Sequence, residues 1–108
     1  MAAPRIMVNV PKTAARGEIV EIKTLIAHKM ETGHRMGLNG QRIPRDIINR
    51  FECTYNGALV FAADLFPAVS ANPFIAFTTV AVASGTLKFR WVDDHGKVST
   101  TSAKITVT

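Results

Sequence analysis

A single cysteine, Cys53, is all the thiol chemistry in this chain of 108 residues. An internal disulfide is therefore excluded, and the redox compartment stays open, because one free thiol is compatible with either. No GxSxG, GxGxxG, P-loop or HExxH pattern occurs, so nothing points to ester hydrolysis, a nicotinamide cofactor, phosphate cradling or zinc proteolysis. No polybasic tract and no aromatic-and-basic RNP signature occurs, which puts nucleic-acid binding below a solvated basic surface. No apolar run approaches the ~20 residues of a membrane-spanning helix. The opening segment MAAPRIMVNVPK has no apolar h-region and no cleavage site. On its own it reads as the start of a soluble chain without an export signal. No helix of useful length and no internal repeat is visible.

What is present fits one globular domain spanning residues 1–108. Hydrophobic residues make up 47% of the chain, and a domain of this size buries ~65% of its unfolded surface, enough for a core without staples. Thirteen Lys and Arg against eight Asp and Glu give +5. That charge permits an anionic partner without choosing one.

The organising stretch is Ile43 to Leu65. Ile47, Asn49, Phe51, Cys53 and Tyr55 alternate with Ile48, Arg50, Glu52 and Thr54. After Asn56-Gly57, Leu59, Phe61, Ala63 and Leu65 alternate with Val60, Ala62 and Asp64. Period-two alternation gives a strand one buried and one wet face. Asn-Gly tolerates the positive φ of a two-residue hairpin turn. Further strands are predicted over Ile6–Val10, Glu18–His28, Phe74–Ala83, Gly85–Val92 and Lys97–Val107. Val20, Ile22, Thr24 and Ile26 mark one inner face, and Leu87, Phe89 and Trp91 another. Lys12–Gly17 reads as a turn, Asp93–Gly96 as a hairpin turn, and Lys29–Pro44 as a long irregular loop of the kind that is often functional. About seven strands at this spacing predict an all-β fold, an Ig-like β-sandwich, with a small barrel as the alternative.

Few residues offer chemistry. Cys53 alternates with Phe51 and Tyr55, so packing outweighs reactivity, and a thiolate needs exposure and a cation that the inner face does not offer. His28, His34 and His95 match no zinc spacing and read as loop and turn residues. Asp93 and Asp94 are adjacent, so their side chains diverge and a turn role fits better than a paired site. Neither catalytic residues, a cofactor nor a metal site is expected.

Four motifs in fixed order carry a resemblance. HxMETGxR (from His28), IPRxII (from Ile43), ADLxPAxxANP (from Ala63) and SGTxxFxWxDDxG (from Ser84) resemble the SoxZ family of sulfur-oxidation proteins, from about Gly17 to the C-terminus. The resemblance implies an Ig-like sandwich and a non-catalytic companion subunit of the SoxYZ carrier complex in thiosulfate oxidation. The partner it implies is SoxY, whose cysteine, near its C-terminus on a Gly-Gly-Cys-Gly-Gly arm, bears the sulfur intermediate. This chain ends in SAKITVT, without such an arm. The resemblance also implies a periplasmic location, reached by co-export with a signal-bearing partner. Aromatic, Met and Arg anchors favour interfaces. The interface is therefore expected in the loop His28 to Ile43, at His28, Met30, Glu31, His34, Arg35, Met36 and Arg42, with Leu38 beside them. Visiting enzymes of the pathway are expected to contact it transiently. Without SoxY, an uncovered apolar patch favours self-association.

Overall fold

The computed structural model describes residues 4–108; the opening MAA of the segment read for an export signal lies outside them. Eight strands form two sheets: β1 Ile6–Asn9, β2 Thr13–Ala14, β3 Ile19–Ile26, β4 Ile48–Tyr55, β5 Ala58–Asp64, β6 Phe74–Val80, β7 Gly85–Asp93 and β8 Val98–Val107. One sheet has the order β1-β3-β6 and the other β2-β8-β7-β4-β5. Two separate sheets make a sandwich and not a barrel. Among the described residues there is no helix.

The additional strand, β2, lies in the segment predicted as a turn. It pairs parallel with β8, Thr13 opposite Thr106 and Ala14 opposite Val107. Here the chain leaves the first sheet and joins the second. Two residues are too few to carry a periodic signal, which is why alternation could not show it.

The predicted inner faces meet in one core. Val20, Ile22, Thr24 and Ile26 are all buried, as are Leu87, Phe89 and Trp91. The Thr24 hydroxyl donates to the Ile75 carbonyl at 2.9 Å, so this buried polar atom is satisfied. Phe51 sits at the centre. Its ring lies 5.1 Å from Trp91 and 6.0 Å from Phe61, and 6.2 Å from Phe77 of the opposite sheet. Phe61 and Phe77 stack at 4.5 Å, joining the sheets directly.

The β4–β5 hairpin forms as predicted, with φ of 49° at Asn56 and 85° at Gly57. Two bulges alter its alternation. Cys53 pairs with Phe61 but Thr54 pairs with Leu59, leaving Val60 extra on β5. The extra residue reverses the phase, so Leu59, predicted inward, is 57% exposed. A second bulge at Asn49 lies between Ile48 and Arg50. Ile48, predicted on the polar face, is buried beside Ile47. Asn49, predicted on the core face, instead donates from Nδ2 to Asp94 Oδ1 at 3.0 Å.

Candidate functional site

The long connection between β3 and β4 leaves the two sheets and carries most of its length outside the core, with Met30 and Ile47 as its buried ends. It is less irregular than its glycines suggest. Glu31 and Asp46 exchange backbone hydrogen bonds at 2.9 Å, and Ile43 N donates to Arg35 O at 2.8 Å. Further out, Met36 bridges Arg42 across a turn in which Gly37 N donates to Gln41 O at 2.7 Å. The connection is a narrow ladder that leaves the sandwich and returns.

Met30 fastens its base. It was expected among exposed interface residues, but it is 4% exposed and belongs to the core. Its sulfur accepts the Ile48 N–H at 3.3 Å, and its N–H donates to His28 Nδ1 at 2.9 Å. The backbone holds φ at 51°, a conformation that costs a non-glycine residue of order 1 kcal/mol and persists where packing enforces it. An unbranched thioether fills such a gap well. Its neighbour in sequence, Glu31, is half-buried and takes a two-pronged hydrogen bond from Arg35, at 2.6 and 3.4 Å. That contact holds the Glu31 carboxyl below its ordinary range against the opposing effect of burial. His34, Arg35, Met36, Leu38 and Arg42 are exposed and form the outer part. The seven expected interface residues thus divide. Met30 is core, His28 and Glu31 belong to the base, and His34, Arg35, Met36 and Arg42 lie on an outer surface that offers two arginines and a single methionine.

Asp93 and Asp94 diverge as expected. Asp94 Oδ2 and Oδ1 receive the Arg45 guanidinium at 2.8 and 2.7 Å, and Asp94 also accepts the Ile47 N–H at 3.0 Å. Burial alone would raise its carboxyl, but Arg45, Asn49 and the Ile47 N–H outweigh that and hold it below the ordinary range. Asp93 turns the other way. Its Oδ1 accepts the N–H groups of His95 and Lys97 at 2.9 and 2.8 Å, closing a turn in which Gly96 has φ of 76°.

At the foot of the loop, three parts of the chain converge on a basin of about 350 Å³ whose lining includes His28, Asp46, Trp91, Asp93, His95 and Lys97. Ligand atoms of His28, Asp46 and Asp93 all lie within 4.8 Å of one another. His95 Nε2 stands 3.5 Å from Asp46 Oδ1 and His28 Nε2 3.9 Å from it, while Lys29 Nζ is 3.3 Å from Oδ2. Spacing could not show this grouping, because its members are 18 and 47 residues apart in sequence and meet only through the β3–β4–β7 strand ends. His95 is an exposed turn residue, as expected. The convergence of its imidazole on Asp46 was not expected.

Cys53 is fully buried, its S–H directed at the Thr54 carbonyl 3.7 Å away. Burial pushes the thiol up to about 11. Such a group is neither thiolate nor accessible at neutral pH. A chromogenic disulfide reagent at neutral pH is expected to leave Cys53 unlabelled over minutes in the folded chain and to label it at once in denaturant. Prompt labelling of the folded chain would contradict the buried placement.

One further surface is uncovered. On the outer face of the first sheet, Leu25 pairs with Met7 on one side and Phe74 on the other. Met7 and Phe74 are each about 60% exposed.

Two antiparallel-rich sheets around an aromatic core define an Ig-like β-sandwich protein with a structured β3–β4 excursion. The superoxide reductase (neelaredoxin) of Ignicoccus hospitalis has this fold: TM-score 0.71 at 13% identity, covering 97% of this chain and 82% of that one. The sulfur carrier protein SoxY of Chlorobium limicola f thiosulfatophilum shares it too, at TM-score 0.68 and 13% identity, over 95% of this chain and 78% of that one. No curated protein matches the sequence. The model of the family described as sulphur oxidation protein SoxZ matches residues 7–104, nearly the whole chain, and the chain belongs to that family. Its role therefore lies in the sulfur-oxidation system.

Proposed function

We propose that this chain is the companion subunit of a SoxYZ carrier complex, binding SoxY while SoxY's own cysteine carries the sulfur intermediate. The observation that carries the reading is the state of Cys53 in a chain of the SoxZ family. The one thiol is fully buried within the core, so a swinging sulfur adduct has no place on this chain. Carrier chemistry in such a complex then falls to the partner's thiol, and this chain contributes a surface. No catalytic residue is assigned to it. We place the complex in the periplasm, with this chain exported alongside a signal-bearing partner.

Two surfaces support an interface. The outer loop offers Arg35, Met36 and Arg42, cationic and adaptable side chains of the kind enriched at contacts. The row Met7–Leu25–Phe74 offers an apolar sheet face. Either one, left uncovered, also favours self-association of the lone chain. The loop is the surface we assign to SoxY and to the enzymes that visit the complex.

Replacing Arg35, Met36 and Arg42 together by alanine is expected to weaken SoxY binding ~10-fold or more, as loss of anchor residues does. Calorimetric titration of SoxY into each variant measures this. Met30 is left intact because its loss would report on folding. An unchanged Kd removes the loop from the interface. If Phe74→Asp alone weakens binding, the sheet face is the contact instead. If neither variant changes Kd, both assignments fail.

A further inference from the structure

We propose that the basin at the foot of the loop is a divalent metal-ion site, with Asp46, Asp93, His95 and His28 as its donors. The proposal does not rest on the carrier-complex reading. Two imidazoles and two carboxylates form a mixed nitrogen and oxygen donor set, the kind that takes zinc and its neighbours among the first-row divalent ions. They come from the end of β3, the start of β4 and the β7–β8 turn, which the hydrogen bonds above already fix.

Two buried polar atoms of residues that line the basin are not satisfied by the protein itself. Asp46 Oδ1 and Trp91 Nε1 have no hydrogen-bond partner among the described residues. Trp91 is 1% exposed and lines the basin. A buried carboxylate oxygen and a buried indole N–H are each costly to leave unmet. One atom is an acceptor and the other a donor. An anion in the basin would serve the indole but stand against Asp46 and Asp93. A cation at Asp46 Oδ1, carrying a water that accepts the Trp91 N–H, serves both.

The spacing is close to what an ion needs. Two donors at ~2.1 Å on a tetrahedral ion stand roughly 3.4 Å apart. His95 Nε2 and Asp46 Oδ1 are already 3.5 Å apart, and the group of His28, Asp46 and Asp93, within 4.8 Å, has to close by up to roughly 1.4 Å to reach that spacing. Asp93 Oδ1 is engaged by the turn, which holds the carboxylate in place and leaves Oδ2 to the ion. His28 is the most demanding donor. The Met30 N–H occupies its Nδ1 lone pair, so Nε2 bears the proton, and ligation has to expel that proton or turn the ring over. Lys29 sits on Asp46 Oδ2 and leaves Oδ1 open.

The test uses the full, untagged chain, stripped with EDTA and desalted. Titration with zinc chloride by calorimetry is expected to give one ion per chain, and cobalt(II) is expected to give a visible absorption band in the bound chain. Asp46→Asn is expected to weaken zinc binding ~10-fold or more and to abolish the cobalt band, with an unchanged circular dichroism spectrum. Should that variant fail to fold, the double variant His28→Gln with His95→Gln, both outside the core, is expected to do the same. Arg42→Ala, remote from the basin, keeps wild-type affinity. No zinc heat, a stoichiometry other than one, or wild-type affinity in Asp46→Asn or in the double variant overturns the proposal and leaves the basin to water.

Discussion

Phe51→Ala is expected to remove about 3–5 kcal/mol of stability, the range for deleting a large aromatic side chain from a packed core. Phe51 is fully buried. It touches Phe61 on one neighbouring strand, Phe89 and Trp91 on the other, and Phe77 across the sandwich. Its removal therefore empties the point where both sheets meet, and Phe61 and Phe77, stacked on each other, cannot both collapse into the space. A domain of this size holds only about 5–15 kcal/mol in total. Thermal unfolding is expected to shift down by about 12–20 °C, at roughly 4 °C per kcal/mol for a chain of this length. Phe51→Leu, which keeps most of the volume, is expected to lose less than half as much. Calorimetric scans of the two variants check this, and equal losses would show that the aromatic ring itself, and not the filled volume, holds the two sheets together.

Asp94→Ala is expected to follow, at about 3 kcal/mol. The loss has two parts. The Arg45 guanidinium and the Asn49 amide lose their acceptor, and the Ile47 N–H is stranded beside a fully buried side chain. A buried donor without a partner accounts for about 1–3 kcal/mol of this. The sign of the pH dependence follows from the depressed carboxyl. Its contribution is present above the unfolded carboxylate pKa, about 3.9, and is lost as pH falls through the lower folded value. Urea midpoints are therefore expected to fall between pH 5 and pH 2 in the wild type and to fall less in Asp94→Asn. An acid limb of equal depth in both would mean that the cluster is not what acid breaks.

These two residues also show what a sequence can disclose. Phe51 was legible: it alternates with Cys53 and Tyr55, and alternation is a local property that survives folding. The same alternation kept Cys53 in the core, where burial leaves it inert. It failed wherever the ladder gained a residue. The bulges at Asn49 and Val60 reverse the phase of their strands, exposing Leu59 and burying Ile48, and an inserted residue looks in sequence like any other. Met30 failed for another reason. In a glycine-rich segment beside His28 and Glu31 it resembled a surface residue, and only the return of the chain at Ile48 gives its sulfur a partner. The motif order that placed the chain in its family was legible throughout. The basin was not, since Asp46, Asp93 and the two histidines become neighbours only when three strand ends are brought together.

The ladder within the β3–β4 excursion bears on how it would be met by another molecule. A free loop of this length forfeits chain entropy when it is captured, at about 1–2 kcal/mol for each residue whose backbone is frozen. Here Glu31 is already tied to Asp46, Arg35 to Ile43 and Met36 to Arg42, with Met30 as a buried peg. Most of that ordering is completed when the chain folds. Contact with the outer side chains then demands the freezing of a few rotamers and little backbone, so its strength is set by chemistry at the surface and not by disorder lost beneath it.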